Sequence, residues 1–194
     1  MWRSEEESRM PQQNNVIAEL TSDHREVEAL FERLEAVEPG DKQAAELVDQ
    51  ITIELVRHSV AEEQYLYPAV RESVPGGDAM AAKEIGDHAK VELLLKDLQY
   101  RPADDESFKP LTEQLIAEVA SHVKDEEERL FPALLEACSF EQLDDLGEQV
   151  REAKRTAPTR PHPPVPDDTP AGKLVGAGAG LVDRVRDMLT GRGK

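Results

Sequence analysis

Apolar residues recur at steps of three and four along most of the chain, which is the spacing of one face of an α-helix. Between residues 14 and 135 four such stretches are separated by turn segments, of which Pro39-Gly40-Asp41 and Pro75-Gly76-Gly77 carry the strongest helix breakers. The alternation of apolar and polar residues that marks a strand is absent from the sequence. The pattern therefore predicts an all-α fold, an up-down-up-down four-helix bundle.

The breakers and the apolar positions also place the individual helices. We expect them from Asn14 to Pro39, from about Asp41 past Pro68 to Pro75, from about Asp78 to Gln99, and from about Glu106 to Leu135. Pro68 and Pro132 predict a bend or local break in the second and fourth helices. A shorter fifth helix is expected from Ser139 to Lys154, lying against the bundle end through Phe140, Leu143, Leu146 and Val150.

The chain divides into three parts by composition. Residues 1–13 are polar and are expected to be disordered, and residues 14–155 form the predicted bundle. Residues 156–194 form a linker with six prolines up to Pro170, followed by a weakly amphipathic tail. That tail either contacts a protein or a membrane surface or is a fraying end, and His162 in the linker is interpreted as exposed and non-functional.

Charge and cysteine usage limit the possible functions. Residues 1–155 hold 17 Lys and Arg against 37 Asp and Glu, a net charge of −20, which argues against nucleic-acid binding. The single cysteine allows no intrachain disulfide. The N-terminus does not resemble a signal peptide, and the longest weakly apolar run, residues 174–182, is too short to span a bilayer. A cytoplasmic protein without a transmembrane segment is expected.

A repeated motif carries the candidate chemistry. His58 is followed four residues later by Glu62 and then by Leu, an aromatic residue, Pro and Ala, and the same series follows His122 and Glu126. The offset between the copies is 122 − 58 = 64, and the equal difference 88 − 24 = 64 relates His88 to His24 in the same register. The chain therefore contains two copies of one helical hairpin, which predicts a pseudo-twofold axis in the bundle.

These six residues lie on the predicted core faces, where a metal site explains them. Residues four apart share one side of a helix, so each His-x-x-x-Glu can offer an imidazole and a carboxylate to the same point. A buried carboxylate without a partner is costly, whereas a pair of cations compensates both carboxylates. The mixed nitrogen and oxygen donors suit iron, manganese or zinc. Taken singly, each His would more often be a core residue, and each His-x-x-x-Glu a surface pair.

The motif resembles the hemerythrin-like, or HHE cation-binding, domains over about residues 14–137. The resemblance implies a non-haem di-iron centre with two Fe ions joined by an oxo, hydroxo or water bridge. The implied terminal ligands are His24, His58, His88 and His122, and the implied bridging carboxylates are Glu62 and Glu126. Oxygen-carrying hemerythrins have a second histidine four residues after the third-helix histidine.

In this chain that position is Glu92, which is either a replacement ligand or a solvated helix residue. Tyr65 is expected beside the ligands, where it could contact them from outside, ligate, or donate a hydrogen bond to a bound oxygen species. Tyr67 matches Phe131 in the repeat and is expected to have a packing role.

Three functions follow as hypotheses. The first is a module that binds or senses O2 or a related molecule such as NO or peroxide, or responds to iron. The second is an enzyme that decomposes hydrogen peroxide. The third is an interaction protein that positions its C-terminal tail on a partner, with the metal incidental.

Overall fold

The computed structural model describes residues 15–161, and the expectations for residues 1–13 and for most of the linker and tail lie outside that range. Within it, every regular element is helical, which confirms the all-α prediction. The helices are α1 (Val16–Glu35), α2 (Lys42–Ala61), α3 (Tyr67–Ser73), α4 (Gly77–Leu98), α5 (Phe108–Asp125), α6 (Phe131–Ala137) and α7 (Phe140–Thr156). Two single π-helical turns, Glu62–Leu66 and Glu126–Leu130, join α2 to α3 and α5 to α6.

Local sequence explains where the helices begin. The side chains of Asn15 and Asp41 accept hydrogen bonds from the first-turn amides of α1 and α2. Ser139 and Gln142 form a capping box at the start of α7. Gly40 and Gly76 precede α2 and α4 with positive φ angles of 85° and 78°, which a residue with a Cβ atom rarely adopts.

The predicted bends at Pro68 and Pro132 take a specific form. Each proline is the second residue of α3 or α6, directly after a π turn. A proline inside an α-helix lacks an amide donor and clashes with the carbonyl four residues earlier. The wider π turn moves that carbonyl away, so the helical path continues instead of breaking.

The pairs α1/α2 and α4/α5 pack as the two predicted hairpins. Their core is divided into two hydrophobic clusters, one from Val27 to Val123 and one from Val16 to Ala153. The first contains the later half of α1 and most of α2, whereas the second contains the start of α1 and the residues after the π turns. A polar layer with the six motif residues lies between them.

The fifth predicted helix forms as α7, but its contacts differ from the expectation. It packs against α1, α2 and the first π turn, at the level of the polar layer. Leu143 and Val150 are fully buried as predicted, whereas Phe140 is 50% exposed. No helix of residues 15–161 combines the length and apolar character needed to cross a membrane.

Candidate metal centre

The polar layer consists of the four histidines and two glutamates of the repeated motif. Each histidine is no more than 6% exposed, and both glutamates are completely buried. His24 and His88 come from the middle of α1 and α4, and His58 and His122 from the last turn of α2 and α5. The hairpins thus bring together in space residues that are far apart in sequence.

Each glutamate is the first residue of a π turn. The amide of Tyr67 donates to the carbonyl of Glu62, five residues earlier, and the amide of Phe131 donates in the same way to Glu126. π turns are found frequently at functional sites. Here each one sets the direction in which a buried carboxylate and the residue five positions later face the bundle axis.

The ligand-type atoms of these six residues form two adjacent groups. Position one consists of His24, His58, Glu62 and Glu126, and position two consists of Glu62, His88 and His122. Within each group the donor atoms lie within 4.8 Å of one another. The two histidines of each position belong to one hairpin, as the pseudo-twofold repeat predicts.

Both carboxylates face both hairpins. Glu62 Oε2 lies 3.1 Å from His58 Nε2 and 3.3 Å from His88 Nε2. Glu126 Oε2 lies 3.4 Å from His24 Nε2 and 3.5 Å from His122 Nε2. Each carboxylate therefore contacts one histidine of each hairpin, as a bridging ligand must, and Glu62 belongs to both positions.

Unpaired buried atoms show that the donor set fits metal ions. Within the described residues, four of these inward-facing atoms are buried and form no well-aligned hydrogen bond, although three of them lie within 3.4 Å of an atom of another of these side chains: His24 Nε2, His58 Nε2, Glu62 Oε1 and Glu126 Oε2. Such atoms are rare in folded proteins because each one costs about 1–3 kcal/mol. The imidazole and carboxylate donors suit iron, manganese or zinc, so the chemistry and the geometry agree.

The outward-facing nitrogen of each of the four histidines in the polar layer contacts a carboxylate. The pairs are His24 Nδ1 with Glu127 (2.8 Å), His58 Nδ1 with Asp23 (3.2 Å), His88 Nδ1 with Glu63 (3.0 Å) and His122 Nδ1 with Glu84 (2.9 Å). A neutral imidazole whose Nδ1–H donates to such a partner presents the lone pair of Nε2 to a metal. These four carboxylates orient the imidazoles so that, in the neutral form that binds a metal, the Nε2 lone pairs face inward.

Two of these four histidine–carboxylate pairs obey the 64-residue repeat, and the other two do not. Glu63 and Glu127 are separated by the repeat offset and contact equivalent histidines. Asp87 is the repeat counterpart of Asp23, yet Glu84 takes the contact with His122. The side chains of Glu84 and Asp87 both bind the ammonium group of Lys83, which also contacts Asp125.

Strong charge coupling holds the layer together in the metal-free protein. Burial opposes protonation of His58, but the charge of Glu62 and the hydrogen bonds to Asp23 and Glu62 raise its pKa to about 10. Burial likewise opposes protonation of His88, and hydrogen bonds to Glu62 and Glu63 raise its pKa to about 9. Burial would raise the pKa of Glu62, but His58 and His88 hold it well below its ordinary value. Protons on the two imidazoles thus supply the positive charge that metal ions would bring.

Tyr67 lies among the candidate ligands. Its side chain is fully buried, and its hydroxyl donates to Glu126 Oε1 at 3.0 Å and lies 3.1 Å from His88 Nε2. Burial and the charges of Glu62 and Glu126 raise its pKa well above the ordinary value, so the phenol keeps its proton. The sequence predicted a packing role alone for Tyr67. Its repeat counterpart Phe131 instead stacks on His24, with ring centroids 5.8 Å apart.

Tyr65 and Glu92 are the two remaining residues that the sequence singled out for the site. Tyr65 is partly buried and packs against the hydrophobic cluster that begins at Val16. Glu92 is partly buried, and none of the metal-ligand groups within residues 15–161 includes it. The roles expected of them, a contact beside the ligands and an additional ligand, therefore stay predictions.

A small cavity adjoins the four imidazoles. Its volume is about 20 Å³, and it is lined by the histidines, by Asp23 and Ser59, and by the apolar residues Val27, Leu55, Val91, Val119 and Val123. A cavity of that volume holds a molecule about the size of water, since one water requires about 10–15 Å³ by the same kind of measure. Pockets that take organic ligands are many times larger.

Comparison with known proteins agrees with this description. The model of the hemerythrin HHE cation-binding domain matches residues 15–134. An uncharacterized hemerythrin-like protein of Schizosaccharomyces pombe is 29% identical over 171 residues, which cover 88% of this chain and 84% of that protein. A DNA nickase of Nostoc is 30% identical over 143 residues, which cover 74% of this chain and 40% of the nickase.

One solved structure shares the fold. It is the crystal structure of a hemerythrin HHE cation-binding domain-containing protein from Mycobacterium kansasii, with a TM-score of 0.64. The match covers 73% of this chain and 85% of that protein at 21% sequence identity.

Proposed function

Because this chain belongs to the hemerythrin HHE cation-binding family, we propose that its polar layer holds two iron ions and that the centre binds or senses a small molecule such as O2, NO or peroxide. His24 and His58 would hold one ion, His88 and His122 the other, and Glu62 and Glu126 would be shared. Iron bound there would supply redox chemistry and ligand positions for a diatomic molecule. The acidic charge of the chain favours the uptake of cations.

The observation that carries this proposal is the cavity beside the four imidazoles. Its volume of about 20 Å³ is far too small for an organic substrate, and its valine and leucine walls suit a small, weakly polar molecule. His24 and His58, whose buried Nε2 atoms form no well-aligned hydrogen bond, line the same cavity. A metal centre and a space of diatomic size therefore adjoin each other.

The protein side chains have separate tasks in this proposal. The four outer carboxylates hold the imidazoles in place, and the apolar residues keep bulk water from the cavity. The phenol of Tyr67 keeps a proton next to Glu126 and His88, where it can donate a hydrogen bond. Valine and leucine side chains limit the size of any molecule that enters.

The test is metal analysis followed by optical spectroscopy. The full chain is loaded with ferrous iron without oxygen, its iron content is measured, and air or NO is then admitted. We expect about two irons per chain and new charge-transfer absorption. The variant Glu126→Gln should lose iron, whereas Glu128→Gln, an exposed residue of the same π turn, should keep it. A folded wild-type chain that takes up no iron would refute the proposal.

Decomposition of hydrogen peroxide is the second candidate function, and the protonated phenol of Tyr67 favours it. Peroxide has two heavy atoms and fits the same cavity, and the phenol of Tyr67, which contacts the candidate ligands Glu126 and His88, can supply a proton at the centre. The overall reaction would convert two molecules of H2O2 into two of water and one of O2. Its measurement is the O2 released by iron-loaded protein.

Removal of the Tyr67 hydroxyl distinguishes the enzymatic function from binding or sensing. If the protein is an enzyme, Tyr67→Phe should lower O2 release by roughly 10²-fold or more with both irons retained, since a positioned proton donor contributes about that much. If a fully loaded wild-type protein releases no O2, the enzymatic candidate is wrong and binding or sensing remains.

A further inference from the structure

Helix α7 lies outside the matched family region and still reaches the candidate centre. The match to the family model ends at residue 134, and α7 runs from Phe140 to Thr156. It packs on α1, on α2 and on the first π turn, which contains Glu62. From this position next to one half of the polar layer, α7 can supply a side-chain contact that the four-helix bundle does not contain.

The contribution comes from Lys154 in the last turn of α7. Its ammonium group lies 2.6 Å from Asp23 Oδ1 and 2.7 Å from Glu19 Oε1, and the side chain is only 18% exposed. The other oxygen of Asp23, Oδ2, lies 3.2 Å from His58 Nδ1. One carboxylate therefore joins the lysine of α7 to a candidate ligand of position one.

In the second hairpin, the carboxylate that contacts a histidine is held by a cation of the same hairpin and not by one of α7. His122 Nδ1 contacts Glu84, and the cation on Glu84 is Lys83, the preceding residue of α4. Lys83 also binds Asp87 and Asp125, so that its partners all belong to the second hairpin. The carboxylate on His122 is thus held by a cation of its own hairpin, whereas the carboxylate on His58 is held by a helix added after the repeat.

We propose that Lys154 is a positioning residue for position one, and that α7 selectively stabilises the metal ion held by His24 and His58. This inference rests on the proposed metal centre and adds an inequivalence between its two positions. By holding Asp23 Oδ1, Lys154 keeps Oδ2 directed at His58, and the imidazole lone pair at Nε2 stays directed at the ion. Loss of the direct hydrogen-bond partner of a ligating histidine typically weakens metal binding by about 10- to 100-fold, and Lys154 acts one step further out, through Asp23.

The experiment measures the affinity of each of the two ferrous ions in the full chain by competition with a chelator. Lys154→Met keeps the length of the side chain and removes its charge, and Lys154→Arg restores the charge. Arg151→Met is the matched control, because Arg151 lies one turn earlier on α7 and pairs with Glu19 at 3.6 Å. The unfolding of each metal-free variant in urea is measured in parallel.

For Lys154→Met we expect one ion to bind up to about 10-fold more weakly, the lower end of that range, and the other to bind as in the wild type. Lys154→Arg should bind both ions nearly as well as the wild type, and Arg151→Met should not change either affinity. The proposal is overturned if Lys154→Met binds both ions normally, weakens both equally, or behaves like Arg151→Met. A wild-type chain that binds no iron would instead refute the metal centre itself, so the two failures are distinguishable.

Discussion

Without metal, the polar layer should make the stability of the protein fall as the pH rises. The pKa of His58 is raised to about 10 and that of His88 to about 9, from an ordinary value of 6.5. The folded state therefore binds these protons more tightly than the unfolded chain does. Their stabilising contribution is fully present below pH 6.5 and is lost as the pH rises through about 9 to 10.

The magnitude follows from the same values. Each unit of pKa difference corresponds to about 1.36 kcal/mol, which gives about 5 kcal/mol for His58 and about 3 kcal/mol for His88. Both imidazolium groups interact with Glu62, so the two contributions overlap. We therefore expect the free energy of unfolding to decrease by about 5 kcal/mol between pH 6.5 and pH 10, a large part of the stability of an ordinary domain.

The assay is urea unfolding of the metal-free full chain at both pH values, with EDTA present. Glu62→Gln is the comparison, because it removes the shared charge and should flatten the pH dependence. Metal should reverse the trend, since iron binds neutral imidazoles and its affinity increases as protons are lost. A wild-type stability that is constant or increases with pH, or the same decrease in Glu62→Gln, would refute the reasoning.

Two further predictions concern packing and ligation. Gly77→Ala should destabilise the fold by about 2 kcal/mol or more in urea unfolding, because a Cβ atom would lie 2.1 Å from the carbonyl oxygen of Val70. Gly86→Ala on the same helix has open space and should stabilise the fold by up to about 1 kcal/mol, and equal effects would contradict the packing argument. Glu92→Gln should retain both irons in metal analysis, and loss of one iron would instead make Glu92 a ligand.

Helical periodicity predicts the architecture well because the helices are long and their breakers are strong. The constant offset between the two motif copies adds the pairing of two hairpins, and it places His24 and His88 in equivalent positions. Both inferences require only local patterns. The structure confirms the all-helical fold, with helix ends that differ from the prediction by a few residues.

The outer carboxylates could not be predicted in the same way. Glu63, Glu84 and Glu127 lie in a chain that is rich in surface acids, and only the packed bundle selects the ones that contact a histidine. The repeat offset is a signal for Glu63 and Glu127, because it relates them to each other as it relates their histidines. It leads to the wrong residue at His122, because Asp87 is the counterpart of Asp23 and Glu84 makes the contact.

The hydroxyl of Tyr67 was missed for a different reason. Residues five apart lie about 140° apart around an α-helix, so the spacing from Glu62 places Tyr67 away from the ligands. The π turn changes that angle and brings the hydroxyl to the carboxylates. The only sequence signal of the π turn is the proline that follows it. That proline predicts a bend but not the direction of the neighbouring side chains.

The number of residues in each π turn therefore helps to determine which side chains reach the centre. Each π turn accommodates one residue more than a regular α-helical turn, and both hairpins carry it at the same place. Removal of a single residue such as Gln64 would leave Tyr67 four residues after Glu62, about 40° away around a regular α-helix. Tyr67 would then still lie on the same side of the helix as Glu62, with a regular α-helical turn in place of the π turn. The π turn therefore lets one extra residue fit between Glu62 and Tyr67 without turning Tyr67 away from the centre. A further inserted residue would rotate Tyr67 by about another 100°, although every ligand would still be present in the sequence.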